Sequence, residues 1–197
     1  MNLQTSTREL RDLVVAWLAL GLAFTFFFER VSPQQLFTGA VTGLVGPFAV
    51  SLVTVGVAFL LHELAHKVVA IRFGRPAEFR ADLGMLGFAV VSGLAGFIFA
   101  APGAVYHAGP ADPRENGIIA LAGPVTNLLL AGVFLPIAVV APAIGTRGVS
   151  INLLLAGFNM LPIGALDGAT IRQWNLWVYL AVAVPSILLG LVAFLFV

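Results

Sequence analysis

His62, Glu63 and His66 fall within one turn of the stretch AFLLHELAHKVVAI, Ala58 to Ile71, whose other residues are mostly apolar. On a helix, residues four apart share a face and are separated by about 6 Å in rise, a spacing that suits two imidazoles on one zinc ion. Glu63 follows the first histidine directly. Its carboxylate then lies beside the metal rather than on it, where it can take a proton from water. Each ionisable residue at the centre of a membrane span costs about 2.5–3.5 kcal/mol on insertion scales. Three such residues between positions 62 and 66 need a compensating partner, and a bound dication is the most economical one.

A catalytic zinc site needs a third protein ligand and an open fourth position. The chain has no cysteine, so thiolate ligands and disulfides are excluded. The candidates are His107 and the carboxylates. Glu78, Asp82, Asp112 and Glu115 lie in polar connections beside basic residues, where a solvated role is the default. Asp167 ends the apolar run LLLAGFNMLPIGALDG, and its nearest basic residue is Arg172. Asp167 is therefore the favoured third ligand and His107 the second choice.

These residues belong to an integral membrane protein. Of 197 residues, 60% are hydrophobic and 10% charged, and the mean hydropathy is +1.03, far from a soluble domain. Ten Lys and Arg against nine Asp and Glu give no field that would recruit nucleic acid. Apolar segments run roughly over Leu13–Phe28, Pro47–Ile71, Leu83–Val105, Gly117–Ala141, Val149–Leu166 and Leu176–Val197. Their connections are too short for a soluble domain. The first segment has no cleavage site behind it and reads as a retained span. The expected architecture is an all-α polytopic membrane protein, one domain over 1–197 with a catalytic core of about 47–172. Five or six helices are expected to cross, with a membrane-embedded re-entrant segment around 78–107, for which a family resemblance implies β-strands.

The third segment decides the topology. It holds five glycines and Pro102, a poor composition for a helix. If all six segments cross, seven basic residues (Arg8, Arg11, Lys67, Arg72, Arg75, Arg80, Arg147) share one side and three (Arg30, Arg114, Arg172) the other. If the third turns back, the division becomes eight against two, with Arg30 and Arg147 alone. The positive-inside rule favours the second arrangement and puts the N-terminus in the cytosol. Depth agrees. His62 and His66 lie about 15 and 9 Å from Arg72 by helical rise, and Asp167 about 8 Å from Arg172. The three match only if Arg72 and Arg172 are on one side.

Three motifs in order, HELAH at 62–66, AGPVTN at 122–127 and FNMLPIGALDG at 158–168, resemble those of the site-2 proteases, a family of intramembrane zinc metalloproteases. The likeness extends from about Phe59 to Gly168 and is closest to small prokaryotic members without a PDZ domain. It implies zinc on His62, His66 and Asp167, one ion per chain, with Glu63 as catalytic base. It also implies that Asn159 contacts substrate or the developing oxyanion, and that Asn127 is the asparagine of the Gly-Pro motif, a candidate substrate contact or a helix-to-helix hydrogen bond. The segment Glu78–His107 would correspond to embedded strands presenting substrate by strand addition, with GFAVV and FIFA as strand candidates; a glycine-rich helix is the alternative. Gly164 and Ala165 stand where many members carry a second proline, which predicts a looser turn. The implied activity is hydrolysis of a peptide bond in or near a substrate's transmembrane segment, close to the cytosolic face. Its partners would be a membrane-protein substrate and the bilayer, with no nucleotide and no nucleic acid. The rival readings are a metal-handling or transport protein and a homologue that binds membrane proteins without cutting them.

Overall fold

A computed structural model describes residues 5–39, 42–99, 101–109 and 112–195. The chain forms α1 (Thr7–Phe28), a short α2 (Pro33–Phe37), α3 (Val45–Arg72), β1 (Ala77–Ala81), α4 (Leu83–Leu94), β2 (Gly103–His107), α5 (Pro113–Val140), α6 (Pro142–Asn159), α7 (Asp167–Trp174) and α8 (Leu176–Leu195). Among the described residues four helices, α1, α3, α5 and α8, are long and apolar enough to cross a membrane. The expected end of the last segment, Val197, lies outside the described residues. The expected segment from Val149 takes another form. Its helix, α6, begins at Pro142 and stops at Asn159, and Arg147, Asn152 and Asn159 leave it too polar to join the four.

The third segment also differs from a simple span. It contains the 12-residue α4, about 18 Å long by helical rise against roughly 30 Å of hydrocarbon. The segment then returns along β2, which pairs antiparallel with β1, Ala77 opposite His107 and Ala81 opposite Gly103. The two ends of the excursion are therefore hydrogen-bonded to each other. The strands are AEFRA and GAVYH rather than GFAVV and FIFA. GFAVV lies inside α4, whose first turn is capped by Asp82 accepting from Met85 N–H at 3.0 Å. Three residues of FIFA, Phe97–Phe99, form neither helix nor strand, and Ala100 lies outside the described residues. The cap and an apolar character on every face favour a helix over β-branched content alone.

The core is built by close approach more than by size, since lipid gives apolar side chains little reason to leave it. Ala16, Leu20, Ala23 and Phe24 of α1 pack on Val55, Ala58 and Phe59 of α3, with Leu86 and Ala89 of α4 and Ile151 of α6 joining them. At Gly93 of α4 a Cβ would run into the carbonyl of Ala23, so that crossing needs glycine. A second cluster, Met160, Ile171, Tyr179 and Ala183, seats α7 and α8.

The start of α1 is tied to the sheet and to α3 by charge. Ser6 caps the helix, accepting from Glu9 N–H at 3.0 Å, and its hydroxyl also donates to Glu78 of β1. Glu9 Oε2 pairs with Lys67 of α3 at 2.6 Å, and its Oε1 accepts from Phe79 N–H at 3.1 Å. Asp12 Oδ2 accepts from Ala81 N–H at 3.3 Å. The outer edge of β1 is thus closed by side chains of α1. Breaking a buried ion pair from one side leaves a charge without compensation. Lys67→Met is expected to cost about 3–5 kcal/mol. Adding Glu9→Gln should recover most of that loss, because glutamine still accepts from Phe79 without a charge. Thermal unfolding of the three proteins in detergent checks the order.

Candidate metal centre

α3 presents His62, Glu63 and His66 toward α5 and the loop before α7, and all three are buried. Asp167 opens α7, where the helix N-terminus favours a carboxylate. The loop from Met160 to Leu166 delivers it. Gly164 there has φ +57°, in the left-handed region that glycine adopts without cost. That conformation suits glycine at one of the two positions, Gly164 and Ala165, where the chain departs from the motif it resembles.

The ring nitrogens meet at one point. His62 Nε2 and His66 Nε2 are 2.9 Å apart, and Asp167 Oδ2 is 3.3 and 3.4 Å from them. Among the described residues these three form the one group able to hold a metal ion. Four ligands tetrahedrally disposed at about 2.0–2.1 Å from zinc have donor atoms about 3.3–3.4 Å apart, close to the triangle observed.

The tautomers follow from the outer hydrogen bonds. Asn127 of α5 donates through Nδ2 to Ala58 O at 3.0 Å and to Asn152 Oδ1 at 2.9 Å, leaving its Oδ1 to accept from His62 Nδ1 at 2.6 Å. Asn152 of α6 is oriented in turn by donating to Gly148 O at 2.8 Å. His66 Nδ1 donates to Ile119 O at 2.7 Å, one residue from the rung that Pro124, lacking an N–H, cannot supply to Ala120 O. Both Nε2 atoms are then lone-pair donors facing a carboxylate oxygen that has no hydrogen-bond partner. Three converging lone pairs repel unless a cation lies among them, so the residues fit zinc.

Gly123 of α5 completes the site by being small. A Cβ there would collide with His66 Nε2 and with the ring of His62. Glu63 lies outside the triangle, and its Oε2 is also buried without a partner. A cavity of about 970 Å³ reaches Glu63, both histidines and Asp167 and is bordered by Asn159 and by β2. Asn159 ends α6 and donates to Leu155 O at 3.0 Å.

Of the other sequence candidates, Asn127 stands directly behind this group and His107 apart from it. Asn127 is fully buried and touches His62. His107 sits on β2 with its Nδ1 3.4 Å from Arg75 Nη1, and Arg75 also binds Glu115 at 2.6 Å and Asn116 at 2.9 Å. Burial, and then the Arg75 guanidinium, hold the His107 pKa below its ordinary value. Glu78 pairs with Arg80 and Asp82 caps α4. Sequence reasoning missed Asn152 and Gly123. A polar residue in the apolar run INLLLAG was the available signal for Asn152.

The register of the sheet leaves one edge toward the cavity. Phe79 and Ala81 point their N–H groups at α1, so Glu78 and Arg80 face β2, as the flanking bonds Asp82 N–H to Pro102 O and Ala108 N–H to Pro76 O require. Gly103, Val105 and His107 therefore turn their backbone groups away from β1, along the edge bordering the cavity.

The chain is 40% identical over 191 residues to the protein named "Putative zinc metalloprotease MJ0611" of Methanocaldococcus jannaschii, with 92% of each chain covered. It is 31% identical over 176 residues to "Putative zinc metalloprotease Rip3" of Mycobacterium tuberculosis, covering 84% of this chain and 39% of that one. It is 31% identical over 150 residues to "Putative zinc metalloprotease YwhC" of Bacillus subtilis, covering 62% of this chain and 67% of that one. Neither a family model nor a solved structure matches the chain.

Asn152 touches no ligand atom and acts through Asn127. Asn152→Leu is expected to weaken zinc binding about tenfold or more, measured by competition with a chromogenic chelator. A thermal midpoint close to wild type would separate this positioning role from general unfolding. Gly123→Val should lose zinc outright, by metal analysis of the purified protein.

Proposed function

The chain belongs to the site-2 protease family of zinc metalloproteases, and from that premise we propose that it hydrolyses a peptide bond in or near the transmembrane segment of a membrane-protein substrate. Glu63 carries the reading. A metal carrier has use for the three ligands, but a second buried carboxylate, beside the triangle with an unpartnered oxygen, is what a hydrolase needs as its base.

Zinc held by His62, His66 and Asp167 would supply a Lewis acid that polarises the scissile carbonyl and brings the pKa of a water to about 7. Glu63 takes a proton from that water as its oxygen bonds to the carbonyl carbon. It returns the proton to the amide nitrogen as the C–N bond breaks, giving a carboxylate and an amine. Asn127 and Ile119 hold the imidazoles in the tautomers that leave both Nε2 atoms toward the metal. Asn159, at the cavity wall, donates to the carbonyl oxygen of the substrate as charge develops on it.

A helical substrate must be unwound before its peptide bond is reached. The edge of β2 at Gly103, Val105 and His107 offers main-chain groups to hold it extended. The excursion from β1 to β2 enters and leaves the bilayer on the cytosolic side, a reading supported by the pairing of its ends and by the division of basic residues. The N-terminus is cytosolic, the site lies near that face, and water arrives through the cavity.

Glu63→Gln should lower cleavage of a synthetic transmembrane peptide at least about a hundredfold while zinc stays near one per chain by mass spectrometry. Cleavage at the wild-type rate would sink the mechanism. Asp167→Ala should purify without zinc; zinc retained there would remove Asp167 from the ligand set.

A further inference from the structure

A second cavity, of about 320 Å³, lies between α1 and α3, on the far side of Glu63 from the histidines. Leu13 and Val14 of α1, Leu60 and Leu64 of α3, and Phe79 and Val105 of the sheet form its walls. The buried Lys67–Glu9 pair closes one end. Glu63 and Val105 line both this space and the catalytic cavity, so the two meet at those side chains. Neither the metal triangle nor the amide chain from Asn152 to His62 uses it.

We propose that this cavity receives a large aliphatic or aromatic side chain of the substrate, that of the residue whose amide nitrogen becomes the new N-terminus. The assignment rests on the protease reading and deepens it. Glu63 must come within hydrogen-bond reach of the departing nitrogen to hand it a proton. The residue that owns this nitrogen is the one beside Glu63, and of the two open volumes that Glu63 lines this is the one not shared with the histidines and Asp167. The sheet gives the same direction independently. A strand added to β2 places the residue opposite Val105 on the same face as Val105, and that face packs with Phe79 against α1 and α3. Apart from Thr5, Glu63 and the mutually paired Lys67 and Glu9, the walls are apolar, so a polar side chain would surrender more hydration there than it regains. Val14 and Leu64, 40% and 44% exposed, border the opening toward lipid, which admits an apolar side chain directly from a bilayer.

The test uses the full-length, zinc-loaded protein in detergent and a pool of synthetic transmembrane peptides that share one host sequence and vary at single positions. Products are sequenced by mass spectrometry. New N-termini are expected to favour Leu, Ile, Met and Phe over Ala and Ser by about tenfold or more. Val14→Trp fills the cavity from α1 and should lower that ratio at least about tenfold. Leu64→Ala widens it from α3 and should shift the preference toward Phe and Trp; it keeps the test decisive if the first variant folds poorly. Ratios unchanged in both variants at wild-type zinc content would overturn the pocket, as would a selectivity confined to the carbonyl side of the bond. Failure of the zinc-loaded wild type to cut any peptide would overturn the protease reading itself, and the pocket with it.

Discussion

A polar group withdrawn from water must find its partner inside the protein. In this molecule that requirement organises more than the metal centre. Two imidazoles and a carboxylate converge with their lone pairs toward one point, tolerable only around a cation. Each imidazole can offer Nε2 because its Nδ1 is bound elsewhere, to Asn127 and to Ile119 O. Asn127 in turn is aligned by Asn152, and Asn152 by Gly148 O. Three helices, α3, α5 and α6, are fixed relative to one another by this sequence of bonds, and α7 joins them by setting Asp167 against the two imidazoles. Apolar contact alone would hold them weakly in lipid.

Small residues make those bonds possible. Gly123 lets α5 approach the imidazoles of α3, and Gly168, where a Cβ would strike Met160 O, lets α7 turn directly after the loop. The glycines of this chain are not all alike in purpose. Gly164 serves a left-handed turn, whereas Gly93, Gly123 and Gly168 serve proximity. A sequence shows both kinds as the same letter, and only the neighbours across the helix distinguish them.

That His62, His66 and Asp167 form one group able to hold a metal was legible because the local rule is strict. Two histidines four apart with an intervening glutamate, set in an apolar run, leave few other uses. Asp167 was found by elimination and by matching depths. The strands were misplaced because β-branched content was read in GFAVV, where capping by Asp82 and uniform apolarity settled a helix. The residues that did pair, AEFRA and GAVYH, carry charges at Glu78 and Arg80 and so looked like connection. The outer edge of AEFRA finds its partners in α1, about 70 residues earlier, as the separations from Glu9 to Phe79 and from Asp12 to Ala81 record. No local window reaches that far. Asn152 was hidden for the same reason, since its role exists only through Asn127 on a neighbouring helix.

The ties between α1 and the later chain carry a consequence for the order of synthesis. Glu9 leaves the ribosome 58 residues before Lys67 and 70 before Phe79. At 5–20 residues per second that interval is about 3–15 s. Throughout it the first helix carries two carboxylates, Glu9 and Asp12, whose partners in α3 and β1 do not yet exist, Asp12 having only its neighbour Arg11. The beginning of α1 must therefore stay hydrated while the rest of the helix enters the membrane, and it sinks to its final position only when α3 and β1 arrive. The nascent chain has a built-in delay, and the arrival of the metal-binding helix ends it.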